Sequence, residues 1–339
     1  MVVNRASMDQ LVPGSVVYYR VGDSALPATP QHPPMSDVIS REHMLRVPMV
    51  APVDGEQGAS VEARAYADAV GVVFLADMGR GNDPAVDSSE TYSEYGYTSL
   101  YTARTLTEYA ASGNTSSTVL IGDVSYATGF QPVWNEYLRM IEPYAAAVPN
   151  FIGLGNHEAC VPTDRLPAGR TGYMYNWTDS GGECGVSTNF HLPMPWKSVD
   201  ETWYSADVHP RISVVMMSSE HNYISGSPQL EQLEQLLADI RTSKGEKHHI
   251  VFLNHRPAYI NSEYYGDMKW SGDQRVASML REFVEPLFRK YVSNSNRTGP
   301  CLTIDSIPSP GRAPPSSPHP PTQMFAAMQC HAIRVVSIF

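Results

Sequence analysis

What constrains this chain most is one arrangement used four times: an apolar β-type run that leads into a short polar cluster. Val72–Leu75 leads into Ala76-Asp77-Met78-Gly79, and Thr118–Ile121 into Gly122-Asp123-Val124-Ser125-Tyr126. Phe151–Leu154 leads into Gly155-Asn156-His157-Glu158, and Ile250–Leu253 into Asn254-His255-Arg256-Pro257. Oxygen and nitrogen donors are thereby delivered to the ends of several strands, which is where open α/β sheets place their sites.

Helical patterns alternate with these strands near Tyr95–Tyr109, Gln131–Ala146, Ser227–Thr242 and Gln274–Tyr291. The third carries Leu230, Leu233, Leu236, Leu237 and Ile240 on one 3.6-period face, with Ser227-Pro228 at its start. Thr202–Val208 and Ile212–Met217 read as an antiparallel pair joined at His209-Pro210. Residues 159–200 form a long loop, of the kind that is functional or stapled. Near the start, Val16–Val21 is β-branched and aromatic, a strand signal. Ala25–Ala59 is rich in proline and polar residues and reads as linker. Ile307–Pro321 holds seven prolines in fifteen residues and reads as irregular. Beyond it, Ile333–Phe339 alone has strand character.

A chain of 339 residues can bury a large core. Its net charge of −11 argues against a nucleic-acid binder, which would normally show a basic stripe. No apolar run is long enough for a membrane span, and Met1–Gln10 has no signal-peptide core. Of the four cysteines, Cys160 and Cys184 flank the loop after Gly155–Glu158 and could pair there, while Cys301 and Cys330 lie near the end. The count alone shows no disulfide framework in a chain this long. Three sequons are present, at Asn114, Asn176 and Asn296.

The four clusters, in this order, resemble the purple acid phosphatase branch of the metallophosphoesterases. Gly79 and Tyr126 carry the branch assignment, because the wider superfamily has His and Asp there. Asp179–Val186 and His191–Pro195 are similar to the plant and fungal type of the family. The resemblance covers about residues 11–292. It implies an α/β fold: a two-sheet β-sandwich flanked by helices. It divides the chain into the remnant of an N-terminal fibronectin-like β domain (1–24), a linker (25–68), an incomplete catalytic domain (69–292) and a Pro/Ser-rich irregular tail (293–339), a family chain cut at both ends. A lone hairpin is marginal in water, so the N-terminal piece should dock on the catalytic domain or fray.

The resemblance also implies the chemistry. Two metals clamp a phosphate, lower the pKa of bound water to roughly 7 and stabilise the leaving oxygen. Asp123 would bridge the pair, and Asp77 and Tyr126 would bind the first metal. A phenolate ligand favours Fe(III) there. Asn156 and His255 would bind a divalent partner: Zn, Fe or Mn. Ions summing to about +5 against about −3 from Asp77, Asp123 and Tyr126 leave a net positive site for an anion. His157 is the catalytic candidate, binding phosphate or protonating the leaving alkoxide. His221 is a second substrate-binding candidate at the mouth. Glu158 is expected to orient its neighbours, and Arg256 to form a structural salt bridge. The substrates implied are small phosphomonoesters. The family's closing Gly-His-x-His is absent, which leaves each metal three protein ligands and implies an impaired enzyme. The rival readings are an inactive secreted glycoprotein of the same fold and a two-metal phosphodiesterase or nucleotide pyrophosphatase. The sequons and the family's secretory route imply a secreted or vacuolar/lysosomal location.

Overall fold

The computed structural model describes residues 11–12, 14–21, 40–47, 71–80, 97–160, 174, 180–246, 248–259, 273–291, 303–305 and 335–337. Among these, two four-stranded sheets stack face to face, with helices on both outer sides. Strands β3 (Gly71–Leu75), β4 (Thr115–Ile121) and β5 (Asn150–Gly153) pair in parallel. Strand β10 (Val335–Ser337) joins β3 in parallel at the edge. The second sheet runs in the order β6 (Tyr204–His209), β7 (Ile212–Met216), β8 (His249–Asn254) and β9 (Thr303–Asp305). In it, β6 is antiparallel to β7, as the His209-Pro210 turn predicts, and the other pairings are parallel.

The continuous apolar runs have a direct cause: β3 and β4 are buried on both faces. Inward-facing Val72, Phe74, Val119 and Ile121 meet Val214, Met216, Val251 and Leu253 of the other sheet. The alternate residues Val73, Leu75 and Leu120 pack outward on helices α1 (Tyr97–Ser112) and α2 (Gln131–Ala145), against Leu106, Trp134 and Ile141. On the other outer side, Val215 and Phe252 pack on Leu233 and Leu237 of helix α4 (Pro228–Lys244). They also meet Val276, Leu280 and Phe288 from α5 (Asp273–Met279), a π-helical turn (Leu280–Val284) and α6 (Glu285–Tyr291). Helix α4 begins as its sequence predicts: the Ser227 hydroxyl accepts the Leu230 N–H and Pro228 takes the first position.

Two stretches differ from expectation. Strand β2 (His43–Arg46) lies inside the segment read as linker and pairs antiparallel with β1 (Val16–Tyr19). The hairpin docks where α2 ends: the Tyr19 hydroxyl donates to the Ala146 carbonyl at 3.1 Å, and the Arg46 N–H to the Ala147 carbonyl at 3.2 Å. The Ala146 carbonyl, at the C-cap, is among the groups a helix end leaves unsatisfied, so the docking satisfies one of them. In the stretch read as irregular tail, Thr303–Asp305 pairs with β8, and Val335–Ser337 falls within the Ile333–Phe339 segment. Both are short β-branched pieces on open sheet edges. Asn176, Asn296, Cys301 and Cys330 lie outside the described residues.

The long loop after β5 is stapled. Cys160 and Cys184 form a disulfide, and the next turns lead into α3 (Val186–His191). Beside it, Glu183 accepts from the Gly129 N–H at 3.0 Å and the Trp134 indole N–H at 2.7 Å. The loop is thus tied both to β5 and to the turn beyond Tyr126. With 24 residues of separation, closing this loop should stabilise the fold by about 3 kcal/mol. The paired change Cys160→Ser/Cys184→Ser is expected to lower the urea midpoint accordingly. An unchanged midpoint would assign the loop's order to the Glu183 bonds alone.

Candidate metal centre

Asp77, Asp123, Asn156 and His255 each follow the carboxyl end of a strand: β3, β4, β5 and β8. The first two turns extend their sheet's pairing past the strands, with Asp77, Met78 and Gly79 N–H groups donating to Gly122, Asp123 and Val124 carbonyls. Asp77, Asp123 and Tyr126 take positive φ values of 54°, 50° and 52°. Non-glycine residues rarely hold that conformation, and a tyrosine less often than an aspartate. Three such residues in two adjacent turns mark a place where side-chain direction outweighs backbone comfort.

The turns are also pressed together. A Cβ on Gly155 would sit on the Asp123 carboxylate and lie 2.6 Å from its backbone nitrogen. A Cβ on Gly122 would lie 2.7 Å from both the Gly155 nitrogen and His255 Nδ1. Glycine is therefore required at both positions by close approach. Glu158 closes this junction. One carboxylate oxygen accepts from the Asp123 and Gly155 N–H groups at 3.0 and 2.9 Å, and the other from the Val124 N–H at 2.8 Å. Glu158 thus orients its neighbours, as the sequence suggests.

Five side chains converge. The Tyr126 hydroxyl stands 3.1 Å from Asp77 Oδ1 and 3.2 Å from Asp123 Oδ2. His255 Nδ1 faces the Ile121 carbonyl at 2.9 Å, so that nitrogen carries the proton and donates it. The opposite nitrogen, Nε2, faces Asn156 Oδ1 at 3.0 Å and Asp123 Oδ2 at 3.4 Å. Donor atoms of Asp77, Asp123 and His255 lie within 4.8 Å of one another. Asp123 and His255 are 3% and 6% exposed. Asp77 Oδ2 is buried and has no hydrogen-bond partner among the described residues.

Three acceptors facing one another need a cation between them, either a proton or a metal. In the metal-free site, burial pushes the Asp77 carboxyl up to about 6, helped by Asp123 and opposed by His255. Burial opposes charge on both Asp123 and His255, but each overcomes it through the other. Asp123 stays well below the usual carboxylate range, and the His255 ring rises to about 10. The orphaned Asp77 oxygen, the carboxylate pair, the phenol, the amide oxygen and the imidazole are a donor set for hard and borderline metals. The residues present fit a metal ion.

His157 lies at the edge of this group. Its backbone N–H donates to Asp123 Oδ1 at 2.9 Å, and its ring rests on that of Tyr126 at 4.3 Å. His221 stands elsewhere. It is 1% exposed, its Nδ1 lies 2.8 Å from the Ser218 hydroxyl, and its ring packs edge-on to Trp203. Burial lowers its pKa to about 3, partly countered by a hydrogen bond from the ring to the Val199 backbone. Arg256 forms the salt bridge expected of it, with Glu220. What the sequence reading missed is that partner. Its signal is a polar Ser219-Glu220 pair directly beyond a fully buried strand.

A two-sheet sandwich flanked by helices, with these side chains at its strand ends, is a metallophosphoesterase fold. The chain belongs to the calcineurin-like phosphoesterase family, which matches residues 71–286. "Probable inactive purple acid phosphatase 1" of Arabidopsis thaliana is 31% identical over 220 residues, 65% of this chain and 33% of that protein. A "Nucleotide pyrophosphatase/phosphodiesterase" of Hordeum vulgare is 27% identical over 69% of this chain and 62% of its own length. The solved purple acid phosphatase from yellow lupin (Lupinus luteus) seeds superposes with a TM-score of 0.62 at 25% identity, over 83% of this chain and 43% of its own. The chain spans about a third of the length of the Arabidopsis relative.

Two outcomes follow from this geometry. Gly155→Ala is expected to abolish tight metal binding while far-ultraviolet dichroism persists; retention of wild-type affinity would show that the turns can separate. His221 is neutral when folded and has an ordinary pKa near 6.5 when unfolded. Its contribution is therefore complete above that value and lost as pH falls toward 3. His221→Gln should flatten the fall of unfolding free energy between pH 6 and 4 by about 1.4 kcal/mol per pH unit. An equal slope in both proteins would mean that His221 is protonated in the fold.

Proposed function

We propose that this chain is a metal-dependent phosphatase acting on small phosphomonoesters, with turnover reduced by the missing Gly-His-x-His donors. The observation that carries this is the convergence of Asp77, Asp123 and His255 donor atoms, with an Asp77 oxygen that is buried and has no hydrogen-bond partner among the described residues. Asp77, Asp123 and Tyr126 would hold a ferric ion, and Asn156 and His255, sharing Asp123, a divalent Zn, Fe or Mn. Such a pair, when bound, neutralises the phosphate dianion and lowers the pKa of water.

The chain's own residues do the rest. The sheltered floor built from Asp123, Glu158 and His255 excludes water from behind the site. Glu158 holds Asp123 in place through the Asp123 backbone N–H. His157, anchored through its backbone to Asp123 and with its side chain 18% exposed, would deliver a proton to the departing alkoxide oxygen at Nε2 or Nδ1. His221, buried and held by Ser218, is not assigned a substrate contact. No helix among the described residues is long and apolar enough to cross a membrane. Asn114 lies on the surface in the turn between α1 and β4, which supports glycosylation there and a secreted or vacuolar/lysosomal setting.

Two other readings have a specific observation behind them. Relatives named as probable inactive phosphatases favour a binding protein of the same fold. The barley relative favours a phosphodiesterase. The test is turnover of p-nitrophenyl phosphate against bis(p-nitrophenyl) phosphate at mildly acidic pH, with metal content measured on the same sample. Faster monoester hydrolysis, lowered about 100-fold by His157→Ala, is the expected result. Faster diester hydrolysis would transfer the assignment to the diesterase. Two bound ions with no turnover of either ester would leave the binding protein.

A further inference from the structure

The last residues of β7 and β8 lead into a buried network that no step above requires. Arg256 Nε and Nη2 meet Glu220 Oε1 and Oε2 at 2.7 and 2.9 Å. The two side chains are 6% and 0% exposed. The Arg256 N–H donates to the Ser219 hydroxyl at 3.2 Å, and that hydroxyl donates onward to Glu220 Oε1 at 3.0 Å. The Asn254 amide donates to the Arg256 carbonyl. The residue directly after His255 is therefore held at its N–H, its carbonyl and its side chain. A buried ion pair is weak grounds for stability, because apolar side chains of the same volume often serve as well. A two-pronged Arg–carboxylate pair does supply direction, since both planes are fixed. Here the direction falls one residue from the imidazole that faces Asp123 and Asn156.

We infer that Glu220, Ser219 and Arg256 are positioning residues that aim His255 Nε2 from the second sheet at the donors of the first. This rests on His255 being a metal ligand. The Ile121 carbonyl sets which ring nitrogen carries the proton, and the Glu220–Arg256 network sets where the ring stands. Ligand orientation by outer groups typically governs 10–100-fold in metal affinity.

The full chain can test this through Zn²⁺ affinity by calorimetry and the visible absorption of the Co²⁺-loaded protein, neither of which needs turnover. Glu220→Gln alone leaves a buried guanidinium unpaired and risks unfolding. The informative variants are the apolar pair Glu220→Leu/Arg256→Met and the single Ser219→Ala, with His255→Ala as reference. The expected result is Zn²⁺ affinity weakened roughly 10–100-fold in the apolar pair, less in Ser219→Ala, with an altered Co²⁺ spectrum and unchanged far-ultraviolet dichroism. Wild-type affinity and spectrum in the apolar pair, or in Ser219→Ala if the pair does not fold, would overturn the proposal while His255→Ala still binds weakly. Wild-type affinity in His255→Ala would instead overturn the ligand reading beneath it.

Discussion

The site depends on a carboxylate that is not proposed to bind metal. Glu158 gathers N–H groups from the turn after β4 and the turn after β5 onto one buried group. Left without these donors, a buried carboxyl would carry the full cost of its desolvation. Burial and the nearby Asp123 charge push this carboxyl up to about 8, while the N–H donors pull it down. Satisfying those donors lets two turns approach so closely that Gly155 and Gly122 have no room for a side chain. The left-handed conformations of Asp123 and Tyr126 are held in the same junction.

The four turns that carry the converging side chains were legible in the sequence because each is local: an apolar run, a glycine or small residue, then a polar donor. Burial of β3 and β4 on both faces made those runs continuous and easy to see. Helix α4 was legible for a similar reason, with its leucine face and Ser227-Pro228 start within a single window. What escaped notice is non-local. The Glu220–Arg256 pair joins residues 36 apart, in the turns beyond two different strands. Strand β2 has no strong pattern of its own and exists through its pairing with β1 and its contact with the end of α2. His221 resembled a mouth residue in its motif, yet tertiary packing against Trp203 placed it inside.

The two sheets contribute unequally. Three of the turns that build the site come from neighbouring parallel strands of one sheet, so their spacing is set by the pairing itself. His255 comes from the other sheet and crosses the interface between them. Its position relative to Asp123 is decided by how Val119, Ile121, Val214 and Leu253 fill the space between the sheets. The Ile121 carbonyl, which bonds the His255 ring, belongs to β4, so one hydrogen bond ties the imidazole directly to the opposite layer.

That crossing makes an ion at this centre a cross-brace between layers. Any ion that binds the folded chain and not the unfolded one adds stability in proportion to the logarithm of its excess over the dissociation constant. An ion bound by Asp77, Asp123 and His255 would therefore fasten one half of the sandwich to the other whether or not any ester is turned over, and the same three side chains would serve architecture as much as catalysis.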